Sequence, residues 1–393
     1  MPQRVLLFAL NNWIGAARLP AALHRAGFEV VVLCPGDSFM ATTRFVNRRL
    51  EMRGRVEANA VSRTIWQEVT ELGTTAIIAA DTRAVEFMHA FAVATQQGTF
   101  AQSPGIEKFQ AMLERSLPPV EHHETVRSRA AGYAAAVELG IPAPVQTRAT
   151  TVGEAIGFAA ERGYPVVLKT DGGAAGVDVA VCKDEDELRA AYEKLTMPLA
   201  HPAPPPKPVI VEVFVDGPQL SYAFVASRGR VLTGLTRLKV KAYPEPHGPS
   251  SVVRVVDVPR MAEYAARFAE RVQYNGFASL QCLLDSSSKV PQFLEFNARP
   301  VPIHHLGEDA VGIDWCKAWF ADLEGRPAPT FAGAIMKRQV ALFPQEWLRD
   351  PQSKYLTTNA LHDVPWDDPE LLKAYVALRK MAPNAAATPA APA

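Results

Sequence analysis

Three oxygen-bearing side chains in the second half of the sequence could hold a divalent cation. Glu295 and Asn297 lie two positions apart in a predicted strand, 292–297, so they share one face at a separation of about 6.6 Å. A hairpin that turns in the middle of the preceding serine-rich loop places Gln281, in the predicted strand 277–284, opposite Glu295. One carboxylate with two amide oxygens suits Mg²⁺ that nucleotide phosphates already hold, because Mg²⁺ keeps waters and takes few protein ligands.

Cationic residues and glycines in two other segments could contact those phosphates. Arg299 follows Asn297 by two positions and could reach the same phosphate oxygens. Lys169, near the end of an apolar run, is a point cation. The glycines after it let backbone N–H groups approach phosphate oxygens without a Cβ clash. These glycines are Gly172, Gly173 and Gly176.

The order of these motifs along the chain resembles the ATP-grasp superfamily. Lys169 and the glycines after it are similar to that family's phosphate strand and flexible loop. Glu212, in an apolar strand shortly before Asp216-Gly217, is similar to the family's adenine-binding linker. The resemblance covers roughly residues 120–325.

The predicted metal segment is most similar to that of carbamoyl-phosphate synthetase. The run Phe-Leu-Glu-Phe-Asn-Ala-Arg, ending at Arg299, is similar to the family's closing Glu-x-Asn-x-Arg motif. Gln281 stands where carbamoyl-phosphate synthetase also has Gln and many relatives have an acid. The resemblance therefore implies that Gln281, Glu295 and Asn297 bind Mg²⁺, with Mn²⁺ as an alternative, beside the phosphates of ATP.

The resemblance also implies individual contacts to the nucleotide. Glu212 accepts a hydrogen bond from the adenine amino group, and the backbone of Val215 pairs with the ring. Gln219 stands where relatives often bind ribose with an acid, which is a departure from the family pattern. A phosphate-binding cation is expected before the Gly-Ile-Pro segment, where Arg127 and Arg129 are both available and Arg129 fits best.

Each motif has an ordinary structural explanation when it is taken alone. Glycine pairs mostly mark turns, and Lys169 could be a solvated lysine at a strand end. Glu212 could be a charge at a sheet edge, and Glu295 with Asn297 could form the polar face of a half-buried strand. Their order and spacing together favour the functional interpretation.

The elements that must position these residues predict an α/β protein. An apolar run at 4–10, a helix at 16–26 and a second run at 29–33 form a β-α-β unit, and a strand at 75–80 extends it into a parallel sheet. Neither G-x-G-x-x-G nor a Walker A motif occurs, which argues against an NAD(P) oxidoreductase. We predict a Rossmann-like N-terminal domain (1–118), an ATP-grasp domain (119–330) with a lid subdomain (145–208) and a metal and nucleotide subdomain (209–330), a C-terminal extension (331–383) and a disordered tail (384–393).

The composition excludes several classes of function. Lys+Arg at 41 balances Asp+Glu at 41, so the chain lacks the broad charge of a dedicated nucleic-acid or anionic-membrane binder. The apolar run at 4–10 is far shorter than the roughly 20 residues that span a bilayer. Four widely separated cysteines predict neither a disulfide framework nor a zinc site, as in a reduced cytoplasmic protein.

The resemblance implies an ATP-dependent ligase. A carboxylate is activated as an acyl phosphate and joined to an amino acid or small amine, with Arg129, Lys169 and Arg299 offsetting the developing charge. The chain has no biotin-carrying, glutaminase or second synthetase domain, so biotin carboxylation and glutamine-fed carbamoyl phosphate synthesis are not expected as stand-alone activities. The alternative is a nucleotide-binding regulatory or scaffold protein without turnover. The expected partners are small molecules, and a homodimer stays open.

Two further features each allow two interpretations. The basic segment with Arg237, Lys239 and Lys241 is expected to be irregular, and it either covers the acceptor substrate or is a solvated charged strand. His304 and His305 could touch substrate, but a surface pair of histidines is the favoured interpretation.

Overall fold

The computed structural model describes residues 3–52, 57–171, 179–197, 208–245, 248–331, 338–357 and 360–381. The predicted phosphate-loop residues Gly172, Gly173 and Gly176, and the predicted tail, lie outside these ranges. The described residues form three β-sheets with helices packed against them. Within those ranges, every helix is too short or too polar to serve as a membrane span.

The N-terminal part of the chain alternates strands and helices. Its elements are β1 (Arg4–Phe8), α1 (Leu19–Ala26), β2 (Glu29–Pro35), α2 (Phe39–Thr42), β3 (Arg48–Met52), α3 (Ala58–Thr70), β4 (Ala76–Ala79), α4 (Thr82–Gln96) and α5 (Ile106–Ser116). The strands pair in parallel in the order β3-β2-β1-β4, which confirms the predicted parallel sheet. Residues 5–8 of β1 are fully buried, as expected for a strand whose two faces are both covered by helices.

A second, antiparallel sheet follows. Its region contains α6 (His123–Arg127), α7 (Arg129–Glu138), β5 (Gln146–Ala149), α8 (Val152–Arg162), β6 (Val166–Thr170), β7 (Val179–Cys182), α9 (Glu185–Thr196) and β8 (Val209–Val213). The strand order is β5-β8-β6-β7. One face of this sheet packs on α8 and α9 through residues that include Leu168 and Leu188, so the alternate residues of β6 and β8 point to the other face.

The third sheet has seven strands. Its region contains β9 (Gln219–Ser227), β10 (Arg230–Ala242), β11 (Ser250–Val256), α10 (Pro259–Arg271), β12 (Gly276–Leu284), β13 (Pro291–Asn297), α11 (Glu308–Val311), α12 (Trp315–Leu323), β14 (Gln339–Leu342), α13 (Gln345–Arg349), β15 (Leu361–Asp363) and α14 (Pro369–Met381). The order is β13-β12-β9-β10-β11-β14-β15, and only the last pair is parallel among the described strands.

The C-terminal segment completes this sheet and contacts the N-terminal part of the chain. Asp363 on β15 accepts hydrogen bonds from Arg18, beside α1, at 2.8 Å and from His305 at 2.8 Å. Tyr375 on α14 is fully buried against Ala17 and Leu371. The proposed division of the chain into domains stays a prediction.

Four side chains form one row across the third sheet. Gln281 lies directly opposite Glu295 in the β12–β13 hairpin, which confirms the predicted register. On its other side Gln281 pairs with Ser221 of β9, and Ser221 pairs with Arg237 of β10. Directly opposed residues of antiparallel strands point to the same face, so the row places Glu295 and Arg237 on one surface of the sheet.

Candidate active site

A cavity of about 790 Å³ opens between the antiparallel sheet and the face of the seven-stranded sheet that carries this row. Every predicted site residue in the described part of the chain lines it: Arg129, Lys169, Glu212, Val215, Gln219, Gln281, Glu295, Asn297 and Arg299. The structure therefore brings together residues that are up to 170 positions apart in the sequence (129 to 299).

The predicted metal ligands lie at one end of the row. The Asn297 side-chain amide donates to one oxygen of Glu295 at 3.0 Å, and an Arg129 Nη lies 3.5 Å from the other. Burial opposes ionisation of Glu295, but the charge of Arg129 and the hydrogen bond from Asn297 outweigh it, so the pKa of Glu295 is lowered. The Gln219 amide donates to Gln281 Oε1. Glu295 is thus ionised at neutral pH and available to a cation.

These three ligands fit a metal ion that is bound jointly by the protein and a nucleotide, rather than by protein side chains alone. Across the described ranges there is no group of three or more His, Cys, Asp or Glu side chains that could hold a metal ion alone. One carboxylate and two amide oxygens leave most positions around Mg²⁺ to waters and phosphate oxygens. The residues present therefore fit Mg²⁺ that arrives with a nucleotide.

Lys169 and Glu212 face the cavity from neighbouring strands. On β6, Val166 and Leu168 enter the core, and the alternate residues Val167 and Lys169 line the cavity. Lys169 Nζ donates to Glu212 Oε2 at 2.7 Å, and the two side chains are only 6% and 4% exposed. Burial raises the pKa of Glu212, and the charge of Lys169 opposes that shift. The residues predicted to contact phosphate and adenine are therefore each other's partners in this structure.

Arg129 is held more rigidly than Arg127 at the start of α7. Arg127 is 49% exposed and bonds to Glu124, whereas Arg129 is 14% exposed. Arg129 donates from its side chain to the Thr170 carbonyl at 2.8 Å and from its backbone to Asp171 at 2.7 Å. Both arginines line the cavity, but only Arg129 approaches Glu295.

Arg299 lies against an aromatic ring from the N-terminal part of the chain. Its guanidinium is 4.7 Å from the Trp13 ring centroid, in the connection between β1 and α1. Asp81 fixes the start of that connection, because it accepts from the backbone N–H groups of Leu10 at 2.7 Å and Asn11 at 3.0 Å. Sequence reasoning missed Trp13. The structure packs that ring over Gly15, where a Cβ would lie 2.3 Å from it, and the sequence alone gives no signal for this contact.

The basic segment is part of strand β10 rather than an irregular loop, although the pairing of β10 with β11 shifts register after Lys239. Arg237 and Lys239 lie on β10 and line the cavity. Arg237 is only 5% exposed, so a solvated charged strand is the wrong interpretation for this residue. Burial lowers the pKa of Arg237 to about 10. Burial and then the charge of Arg237 lower the pKa of Lys239 to about 8, and Glu295 opposes that shift.

The two consecutive histidines are buried, so the expectation of a surface pair is wrong. His304 is 1% and His305 is 6% exposed. His304 packs edge-on against Phe277 and Trp315, and His305 bonds to Asp363. The segment that follows Arg299 enters the core between the sheet and α12, where His305 joins the contact of Asp363 with Arg18.

Comparison with known proteins bears directly on this site. Residues 127–227 match the family described as "Carbamoyl-phosphate synthase L chain, ATP binding domain", a stretch that contains Lys169 and Glu212 but ends before the metal hairpin. Biotin carboxylase from Halalkalibacterium halodurans is 26% identical over 172 residues. That stretch is 41% of this chain and 36% of the relative, so the chain matches well under half of the relative's length.

Solved structures share the fold over most of the chain. The biotin carboxylase domain of Hydrogenobacter thermophilus 2-oxoglutarate carboxylase, solved with MgADP, ADP and bicarbonate, has a TM-score of 0.65 at 19% identity, covering 86% of this chain and 73% of that one. L-amino acid ligase from Bacillus licheniformis has a TM-score of 0.57 at 18% identity, covering 86% and 78%.

The chain has the ATP-grasp fold. The family match and both structural likenesses confirm the predicted α/β class and the resemblance to ATP-grasp proteins. The predicted ligands, ATP and Mg²⁺, agree with the description of the matched domain and with the MgADP bound in the Hydrogenobacter structure.

Proposed function

We propose that this protein is an ATP-dependent ligase that activates a carboxylate as an acyl phosphate and joins it to an amine, releasing ADP and phosphate. One observation carries the proposal. Arg129 and Arg299, a buried Lys169 and an ionised Glu295 all line one cavity, which is the charge arrangement that phosphoryl transfer requires. The similarity to a protein named L-amino acid ligase supports the C–N bond-forming class.

The first step is transfer of the terminal phosphoryl group of ATP. A carboxylate oxygen attacks the γ-phosphorus, the bond from that phosphorus to the bridging oxygen breaks, and ADP leaves with the bond's electrons. In this proposal Lys169, Arg129 and Arg299 offset the charge on the transferred group. Mg²⁺ held by Glu295, Asn297 and Gln281 supplies electrostatic stabilisation when it is bound.

The second step forms the amide. The amine nitrogen attacks the acyl carbon, the bond from that carbon to the phosphate oxygen breaks, and inorganic phosphate leaves as the amine loses a proton. The acyl phosphate is itself reactive, so the protein needs to position the amine and exclude water rather than supply a nucleophile. The cysteines fit this view, because all four are buried and the pKa of each thiol is raised.

Trapping the intermediate tests the proposal. ADP and phosphate release from MgATP are measured across a panel of amino acids and small carboxylates, with hydroxylamine present to convert an acyl phosphate into a hydroxamate. We expect one substrate class to give both ADP and hydroxamate. Glu295→Ala should abolish both products, whereas Glu263→Ala, at a side chain 61% exposed on α10, should leave them unchanged.

Two outcomes would contradict the proposal. Tight MgATP binding without release across the panel would favour the regulatory alternative. AMP in place of ADP would show that the attack does not occur at the γ-phosphorus, which this proposal does not allow.

A further inference from the structure

Arg237 is a buried cation with no partner among the described residues. It is 5% exposed, and its Nε and Nη1 atoms are buried with no hydrogen-bond acceptor among the described residues. No carboxylate in the described ranges forms an ion pair with it, although Lys169 and Arg129 in the same cavity each have one. An isolated buried charge is strongly unfavourable unless something compensates it. An anion at this position would therefore compensate the charge of Arg237.

The position of Arg237 separates it from the predicted metal ligands. Three strand spacings lie between Glu295 and Arg237 along the row, which corresponds to about 14 Å between backbones. Lys239 is two residues further along β10 and points to the same face, where its ammonium donates to the Gly248 carbonyl at 3.0 Å. Arg237 thus lies apart from the metal set, whereas Lys239 lies near enough to Glu295 for the carboxylate to act on its pKa.

The ring of His304 lies near Arg237 and does not compensate its charge. The Val301 N–H donates to His304 Nδ1 at 3.0 Å, so the hydrogen of the neutral ring is on Nε2. That Nε2 atom is buried, and the backbone of Phe224 is an acceptor for it. Burial and then the charge of Arg237 keep the pKa of His304 well below its ordinary value, so the ring is neutral. A neutral ring that carries its hydrogen on the nitrogen facing away from Val301 supplies no negative charge to Arg237.

We propose that Arg237 and Lys239 form an anion site for a substrate carboxylate that stays ionised throughout the reaction. The guanidinium fork matches the two oxygens of a carboxylate, and Lys239 adds a point charge. This inference rests on the proposed function and deepens it. The carboxylate is either the α-carboxylate of an amino acid that serves as the amine or a second carboxylate of the acid that is activated.

Paired substrates distinguish these two sources. ADP release by the full chain at saturating MgATP is measured with glycine against glycinamide as the amine, and with succinate against succinamate as the acid. In Arg237→Met the KM of the member of one pair that carries the additional carboxylate should rise at least about tenfold, which corresponds to about 1.4 kcal/mol, while the KM of its amide analogue and of ATP stay within about twofold. The pair that responds identifies the source.

Two matched variants sharpen this result. Arg237→Lys keeps the charge without the fork and should lie between wild type and Arg237→Met. Arg254→Met removes an exposed arginine from the neighbouring strand β11 and should leave both pairs unchanged. The inference is overturned if Arg237→Met alters both members of each pair equally, or if it behaves like Arg254→Met.

Thermal unfolding separates this inference from the proposed function. Ligand-free Arg237→Met should melt at the same temperature as wild type or higher, because it removes an uncompensated buried charge. A lower melting temperature would mean that Arg237 is structural. If no substrate stimulates ADP release, the proposed function fails. The anion site is then tested by measuring the melting temperature of wild type and Arg237→Met with MgADP plus succinate or glycine. A melting-temperature rise in wild type that Arg237→Met lacks supports the site, and equal behaviour overturns it.

Discussion

Lys169 Nζ and Glu212 Oε2 are 2.7 Å apart in a buried ion pair that joins strands β6 and β8. The proposed roles require both groups to change partner, because Lys169 would turn to phosphate and Glu212 to the adenine amino group. Nucleotide binding would thus replace one buried electrostatic contact by two. The pair keeps each charge compensated until ATP arrives.

The Lys169–Glu212 pair should show strong energetic coupling. Lys169→Met or Glu212→Gln alone leaves one buried partner unpaired and should cost about 3–5 kcal/mol of unfolding free energy, whereas the double variant should recover most of that loss. Denaturant unfolding of the four proteins measures the coupling. The exposed pair Lys373–Glu370 is the control, and its cycle should give less than about 1 kcal/mol. Additive losses at Lys169 and Glu212 would contradict this account.

Trp13 should help to position Arg299. Loss of the ring in Trp13→Ala removes a cation–π contact of about 0.5–2 kcal/mol, so kcat/KM should fall by roughly 2- to 30-fold. Trp13→Phe keeps a ring and should retain more activity than Trp13→Ala. Trp366→Ala, at a tryptophan that is 77% exposed, is the control and should have no effect. Equal activity of Trp13→Ala and wild type would show that the ring does not act on Arg299.

Acid should destabilise the protein through a buried histidine. His89 stacks on His123 at 3.8 Å between ring centroids, and burial lowers the pKa of His89 from 6.5 to about 3. His89 therefore becomes protonated near pH 6.5 in the unfolded chain but only near pH 3 in the folded protein. The free energy of unfolding is unaffected by His89 above pH 6.5 and decreases as the pH falls from 6.5 to about 3. Between pH 7 and 5 the contribution of His89 is a loss of about 2 kcal/mol.

Comparing two variants isolates that contribution. The drop in unfolding free energy from pH 7 to 5 should be smaller by about 2 kcal/mol in His89→Asn than in wild type. His24→Asn, at an exposed histidine on α1, should show the wild-type drop. An unchanged drop in His89→Asn would mean that His89 is protonated in the folded protein.

The local part of the site could be predicted from the sequence. Period-two alternation placed Glu295 and Asn297 on one face, and the symmetry of the serine-rich loop gave the register with Gln281. These inferences worked because a short hairpin fixes its own pairing. The sequence also predicted strands β6 and β8, because each is a short apolar run. A single charged residue in each run, Lys169 and Glu212, indicated a functional role.

The non-local part could not be predicted in this way. The burial of Arg237 depends on which strands flank β10, and the burial of His304 depends on α12 packing over the segment after Arg299. Strands β14 and β15 join the sheet through pairing with β11, far away in the sequence. Trp13, near the N-terminus, contacts Arg299 although the two residues are far apart in the sequence. Such contacts follow from topology, which no single segment determines.

Oxygen transfer from the substrate to phosphate tests the central proposal most directly. The carboxylate that supports ADP release is labelled with ¹⁸O in both oxygens, and the released phosphate is analysed by mass spectrometry. An acyl phosphate keeps the attacking carboxylate oxygen on phosphorus, so we expect one ¹⁸O atom in each phosphate and one in the amide product. Unlabelled phosphate would mean that water attacks ATP directly, and it would contradict the proposed activation of the carboxylate.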